Sequence, residues 1–287
     1  EFAEIMKKKI LILGSEGQIG NHFKDYLLKK KYKVLEFDIV RSKDEDLRLN
    51  NNKNLISKIK QCDFIFFLAF DVGGSRYLKK YQNTYQFLSN NIRIMSNTFE
   101  IIKKYKRPFL FASSQMSNMS YSPYGLLKNI GEKYSDMLGG LVVKFWNVYG
   151  IEKDLKKSHV ITDFILMSLK NKKIKMLTNG QEKRDFLYAE DCCNGLEQIY
   201  LNFNEIKLIK NSVDLTTGKY TSIIHVAKII QKILKKNKIK IERSKNKDSL
   251  QLDKRNKPDL FLKKYWKPKF SLEAGIQEII SYYKLKK

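Results

Sequence analysis

A chain of 287 residues with 43% hydrophobic content is long and apolar enough to bury one sizeable core, or one core and a smaller lobe. Three cysteines (Cys62 and the adjacent Cys192 and Cys193) and three scattered histidines (His22, His159, His225) have neither disulfide nor zinc-ligand spacing, so no metal is expected. A net charge of +26 would suit nucleic acid, but the lysines are spread along the whole chain beside Asn and Ile. That spread reads as compositional bias with no nucleic-acid partner, and leaves a positive field favouring a polyanionic small molecule.

No apolar run nears the roughly 20 residues that span a bilayer. A cytoplasmic protein without a membrane partner is expected. Met6 is taken as the native start, and Glu1 to Ile5, which do not resemble a signal peptide, are set aside.

In chain order, Lys9 to Leu13 is a continuous apolar run of the kind a parallel strand buried on both faces shows. Gly14-Ser15-Glu16-Gly17-Gln18-Ile19-Gly20 follows, then an amphipathic helix over Asn21 to Lys31 with Phe23, Tyr26, Leu27 and Leu28 on one side. Strand, glycine turn and helix is the context in which a pyrophosphate lies against a helix N-terminus, where a Cβ would obstruct it. Gly14, Gly17, Gln18, Ile19 and Gly20 are the expected cofactor contacts.

A second strand, Tyr32 to Asp38, ends in a carboxylate at the distance a ribose-binding acid needs. Asp38 would repel a 2′-phosphate, which favours NAD, although Arg41 is close enough to accommodate one. Asp46 and Leu47 are assigned to the adenine edge. Asp63 to Phe70 is a third strand, followed by a ligand-facing loop, Asp71 to Ser75; Asn90 to Lys104 has helical spacing; Phe109 to Ser114 is another buried strand. Ligands in such sheets sit beyond the strand C-termini, so Ser114 reaches the space occupied by Tyr124, which opens the next helix after Pro123.

Tyr124 and Lys128 are four positions apart and share one helix face. A neighbouring cation favours the phenolate, and lowering a tyrosine by roughly three units takes about 4 kcal/mol, part of which Lys128 is expected to supply.

These ordered pieces, with the Leu68-Ala69 strand end, Asn147-Val148-Tyr149-Gly150 and Arg184-Asp185-Phe186, resemble the extended short-chain dehydrogenase/reductases of the nucleotide-sugar epimerase/dehydratase family over nearly the whole length. The resemblance implies an α/β fold: a Rossmann-like doubly wound parallel sheet at 6–150, with a return segment near 184–205, and a smaller C-terminal α/β substrate-binding lobe from 151–183 and 206–287. It implies homodimers through helices near Asn91 to Lys104 and Tyr124 to Leu138.

By the same resemblance Tyr124 takes a proton from a sugar hydroxyl while hydride leaves the same carbon, Lys128 holds the nicotinamide ribose, and Ser114 hydrogen-bonds the reacting oxygen. Leu68 and Ala69 join the cofactor set. Gly74, Ser75, Gln115, Asn147, Arg184 and Arg255 form the substrate set, with the two arginines on phosphate. The ordinary alternative for Arg184 is an ion pair with Asp185 or Asp191.

Gln115 and Met116 stand where 4,6-dehydratases of the family carry an acid pair, and Met116 stands where C3/C5 epimerases carry a cysteine. Dehydration and C3/C5 epimerisation are therefore not expected. Ser114 and Tyr124 are only ten positions apart, a short spacing for the family that leaves Ser113 and Ser117 as alternatives to Ser114.

Helices over Val160 to Leu169, Tyr188 to Tyr200, Ile223 to Leu234 and Ser271 to Tyr283, and strands at Ile174 to Leu177 and from Asp214, complete the chain; Lys235 to Lys247 reads as solvated surface. The expected activity is oxidation of C4 of a nucleotide-activated sugar, leaning through the Val72-Gly73-Gly74 loop toward a GDP-linked manno-heptose of surface polysaccharide synthesis. A 4-epimerase is the alternative. A catalytically silent nucleotide- or RNA-binding relative is a second, and predicts salt-sensitive nucleic-acid binding.

Overall fold

The computed structural model describes residues 8–234, 239–250 and 257–285. Six strands form one parallel sheet: β1 (Lys9–Leu13), β2 (Lys33–Phe37), β3 (Phe64–Phe67), β4 (Phe109–Ser114), β5 (Leu141–Phe145) and β9 (Ser212–Leu215), in the order β2-β1-β3-β4-β5-β9. Every pairing is parallel. The chain leaves β1 toward β2 on one side and later returns to β3 on the other, so the crevice for a ligand opens at the C-terminal ends of β1 and β3. The strands read as unbroken apolar runs because helices cover both faces; all of Phe109–Ser114 is buried.

One face packs against α1 (Gln18–Lys29) through Phe23 and Leu27, and against Cys192, Leu196 and Ile199 of a later helix. Tyr26 is partly buried there, whereas Leu28 is 48% exposed and lies off the expected apolar face. The other face packs against α2 (Lys53–Gln61), α4 (Tyr85–Tyr105) and α5 (Pro123–Met137), through residues such as Leu55, Ile59, Phe99 and Leu127. The N-terminus of α5 combines a Ser122 cap, whose side chain accepts from Gly125 N, with Pro123 in the first turn. Ser75–Tyr81 forms a further helix, α3, so the expected ligand loop ends where that helix begins.

A third apolar cluster holds α6 (Val160–Asn171), β7 (Lys173–Lys175), α9 (Ile223–Ile233) and α10 (Leu272–Leu285), through Phe164, Ile174, Ile230 and Ile279 among others. It adjoins a small sheet of β6 (Asn147–Tyr149), β8 (Lys183–Tyr188) and β10 (Tyr220–Ser222), in the order β10-β8-β6, while β7 pairs with β11 (Lys240–Glu242). From β8 the chain runs through α7 (Ala189–Leu201) and α8 (Phe203–Ile209), then enters the large sheet as β9 beside β5. The segment 212–215 thus departs from its sequence assignment to the smaller lobe: Val213 and Leu215 alternate inward, 1% and 0% exposed, and complete the large core.

Candidate active site

The glycine turn is built by close backbone approach. Gly14 has φ +87°, and a Cβ there would lie 2.7 Å from the Ala69 backbone. A Cβ on Gly20 would lie 1.9 Å from the Gly14 carbonyl oxygen, so α1 starts directly against the turn. Gly14 N donates to Phe37 O at 2.8 Å, tying the turn to β2. Asp38, one residue on, accepts from Glu16 N and Val40 N, each at 2.9 Å, and lines the cavity beside the turn. Arg41 is drawn away by Glu36 at 2.5 Å and Glu45 at 3.3 Å. With Arg41 engaged by two carboxylates and outside the cavity lining, and Asp38 within it, the turn and its acid fit NAD.

A cavity of about 570 Å³ runs from this turn across the strand ends. Gly14, Gly17, Gln18, Ile19 and Gly20 line it from β1 and α1, Asp38, Asp46 and Leu47 from β2 and the segment after it, and Leu68 and Ala69 from the end of β3. Gly74, Ser75, Ser114, Gln115, Tyr124, Lys128 and Asn147 line the remainder.

At the β4 end the Ser114 hydroxyl hydrogen-bonds the Tyr124 phenol. Ser114 Oγ also accepts from Met116 N at 3.2 Å. Ser113 is tied instead to Glu132 at 2.5 Å, and Ser117 is 3% exposed in the turn that packs on α5. Of the three serines, Ser114 is the one joined to the phenol. The short 115–121 connection folds onto the helix: a Cβ on Gly125 would lie 2.3 Å from Met116 O.

Lys128 is 3% exposed; its ammonium donates to Ala112 O at 2.7 Å and sits 3.7 Å from the centroid of the Phe70 ring. Burial pushes it down to about 7, with Glu132 opposing. Burial pushes Tyr124 up to about 12, with the Ser114 hydrogen bond opposing. The expected depression of the phenol by Lys128 is not found. The ammonium faces Phe70 and a backbone carbonyl, 5.8 Å from the centroid of the Tyr124 ring, and the dry surroundings disfavour both charged forms.

The family whose sequence model matches this chain, over residues 10–208, is the NAD dependent epimerase/dehydratase family. The chain belongs to that family. A putative UDP-glucose 4-epimerase of Methanocaldococcus jannaschii is 27% identical over 317 residues, covering 96% of this chain and 98% of its own length. An epimerase structure from Methanothermobacter thermautotrophicus superposes with a TM-score of 0.84 at 19% identity, covering 99% of this chain and 94% of that one. A GDP-6-OMe-4-keto-L-xylo-heptose reductase from C. jejuni superposes with a TM-score of 0.81 at 18% identity, covering 98% and 99%.

This family member uses NAD. One of its sequence-assigned side chains sits differently from expectation, and two that line the cavity are engaged by neighbours. Arg184 is outside the cavity lining; its guanidinium is ion-paired with Asp248, and neither with Asp185 nor with Asp191. Asp185, fully buried, instead accepts from Thr216 Oγ1 (2.5 Å), Thr217 N (3.1 Å), Thr217 Oγ1 (2.7 Å) and Gly218 N (2.7 Å), fixing the turn after β9. Asn147 lines the cavity but donates to Asp185 O at 3.2 Å, and Asp46 is held in a bidentate pair by Arg48. Arg255 lies outside the described residues.

Sequence reading missed Asp71, whose carboxylate accepts from Tyr77 Oη (2.6 Å), Asn90 Nδ2 (2.9 Å) and Lys157 Nζ (3.1 Å). Burial raises it, and these partners outweigh burial and hold it below the usual carboxylate range. It missed the strap 151–158 as well. Near one end Lys153 Nζ reaches Asn21 at 2.6 Å and Glu16 at 3.6 Å, and His22 Nε2 donates to Ile151 O at 2.8 Å. Near the other, Lys157 reaches Asp71, and Gly74 N donates to Lys157 O at 2.9 Å. The strap therefore spans from the β1 side of the crevice to the β3 side. Its partners are up to 132 residues away in sequence, so no local motif signals it. Among the described residues, no cluster of metal-ligating side chains occurs and no helix is long and apolar enough to cross a membrane.

Proposed function

We propose that the protein oxidises the C4 hydroxyl of a nucleotide-activated sugar, with residues 6–150 and the return near 184–205 holding NAD and most of the remaining chain shaping the substrate side. The observation that carries this is the Ser114–Tyr124 hydrogen bond, with Lys128 one helical turn on, at the strand ends of a cavity that begins in a glycine turn. The glycines at 14, 17 and 20, with Asp38, would hold the dinucleotide. NAD, when bound, accepts hydride from the sugar carbon and brings a positive charge in its oxidised form.

The chain's own part is proton handling. Tyr124 Oη accepts the proton of the sugar hydroxyl, and Ser114 Oγ donates to the same oxygen and orients it. Lys128 uses one N–H on Ala112 O, leaving two for ribose hydroxyls, and its charge opposes the penalty of forming phenolate in a dry site. The residues after Ser114 are Gln115 and Met116, neither able to shuttle protons for water elimination, which argues against dehydration and for oxidation, with or without return of the hydride.

The finer substrate reading, a GDP-linked manno-heptose of surface polysaccharide synthesis, draws support from the Val72-Gly73-Gly74 loop. A 4-epimerase is the second reading, favoured by the relative from M. jannaschii; it uses the same oxidation and returns hydride to the opposite face. The test is to incubate the protein with a panel of nucleotide sugars and follow reduced-cofactor absorbance alongside product mass. Accumulating NADH with a keto-sugar supports the dehydrogenase, and an isomerised sugar without NADH supports the epimerase. Tyr124→Phe is expected to abolish hydride transfer while NAD still binds. Wild-type activity surviving in that variant would refute the assignment, whereas no hydride transfer by either protein together with salt-sensitive nucleic-acid binding would favour a catalytically silent binding module.

A further inference from the structure

Trp146 occupies a place that core packing does not explain. It leaves the chain just beyond β5, and among the described residues it belongs to none of the apolar clusters, whereas the other tryptophan, Trp266, is 5% exposed within one. Ser114 pairs with Phe145 in the parallel register, and Gln115 N donates to Phe145 O at 3.0 Å, so Trp146 follows directly beside the Ser114 end of β4. The half-buried indole lines the same cavity as Tyr124. Its orientation is fixed from both lobes' strands: Nε1 donates to Asp214 Oδ1 of β9 at 3.2 Å, and the ring of Tyr220 stands at 81° to it with centroids 6.0 Å apart. Asp214 is itself anchored, since its other oxygen accepts from Asp259 N at 2.7 Å.

The order of strands says which reactant meets this ring. The dinucleotide anchor is at β1, the Ser114–Tyr124 pair lies at the end of β4, and Trp146 follows β5, on the far side of the reacting hydroxyl from that anchor. We propose that Trp146 is the platform on which the sugar ring of the nucleotide sugar lies, its electron-rich face receiving the polarised C–H bonds of the pyranose. This rests on the nucleotide-sugar reading given above. A ring held in advance by Asp214 and Tyr220 loses little freedom on binding, so the contact favours the sugar over a ligand that merely fills space.

The test measures dissociation constants of the full chain for NAD, for GDP and UDP, and for GDP-mannose and UDP-glucose, in wild type, Trp146→Ala and Trp146→Phe. The expected result is that Trp146→Ala weakens whichever nucleotide sugar the wild type binds about tenfold, and leaves NAD and the free nucleoside diphosphates unchanged. Trp146→Phe, which keeps a ring but loses the N–H on Asp214, is expected to recover most of the loss. The same sugar is expected to quench tryptophan emission, and its nucleoside diphosphate is not. Equal weakening of nucleotide sugar and nucleoside diphosphate, a loss confined to NAD, or a Phe variant no better than Ala would each overturn the platform. A wild type that binds NAD and neither nucleotide sugar would overturn the platform together with the substrate reading beneath it, a result distinct from the other three.

Discussion

Replacing Lys128 by methionine separates what the ammonium does for chemistry from what it costs the fold. The group is 3% exposed and pushed down to about 7, against an ordinary 10.5. A gap of that size corresponds to an order of 5 kcal/mol against the charged form. Contact with the Phe70 ring at 3.7 Å and the bond to Ala112 O hold the ammonium in place against that penalty. Because the native group titrates below the unfolded one, the unfolded chain binds more protons between about pH 7 and 10, and wild-type stability rises through that window. Below pH 7 the penalty is present in full. Lys128→Met is therefore expected to be more stable than wild type by about 4 kcal/mol at pH 6, and equal or slightly less stable at pH 10, where the neutral amine costs nothing and Ala112 O has lost its donor. Urea unfolding of both proteins at pH 6, 7, 8.5 and 10 measures the difference, and the variant should have lost hydride transfer throughout. A variant less stable at pH 6, or a gap independent of pH, would refute the assignment of a buried, charge-penalised lysine.

With Tyr124 pushed up to about 12, the proton-accepting form is scarce in the free protein at neutral pH, so kcat/KM for sugar oxidation is expected to rise from pH 6 to 9; a plateau below pH 8 would show a different base. Gly20→Ala places a methyl 1.9 Å from Gly14 O, and should cost about 3 kcal/mol of stability and weaken NAD binding, read by thermal unfolding and calorimetry. Asp185→Ala leaves the Thr216 to Gly218 turn without four hydrogen bonds, and is expected to destabilise the chain by about 3 kcal/mol in urea while sparing the Tyr124 end of the cavity. A homodimer through α4 and α5 is proposed because Leu126, Ile130, Tyr134 and Met137 form an exposed stripe along α5, with Ile92 on α4. Ile130→Asp should convert a dimer to a monomer by light scattering, and an unchanged mass would dismiss that face.

The parts of the molecule that announced themselves were those whose partners are close in sequence or whose burial is complete. Phe109–Ser114 emerges with the bounds read from its apolar run because both faces are covered, and the glycine turn was legible because strand, turn and helix are contiguous. The helix Lys53–Gln61 was passed over although its two buried residues, Leu55 and Ile59, have helical spacing, because it is only nine residues long and mostly polar. Arg184 looked like a phosphate ligand beside an adjacent acid, yet it pairs with Asp248, and Asp185 turns inward to the residues after β9. Local sequence could show neither, since alternate residues of a strand face opposite ways and the deciding partners arrive from 31 to 64 residues later. The protonation behaviour of Tyr124 and Lys128 was also hidden, because their spacing reports proximity and says nothing of how dry the surroundings are.

The strap across the crevice is expected to govern how fast the cofactor is exchanged. Its two lysine latches are 61% and 38% exposed, so each holds with no more than about 1 kcal/mol and yields to screening. A dehydrogenase must shed its spent dinucleotide on every cycle, whereas an epimerase keeps one aboard. Fasteners this weak suit frequent exchange, and raising ionic strength should quicken the off-rate of NADH in stopped-flow traces well before it disturbs the fold.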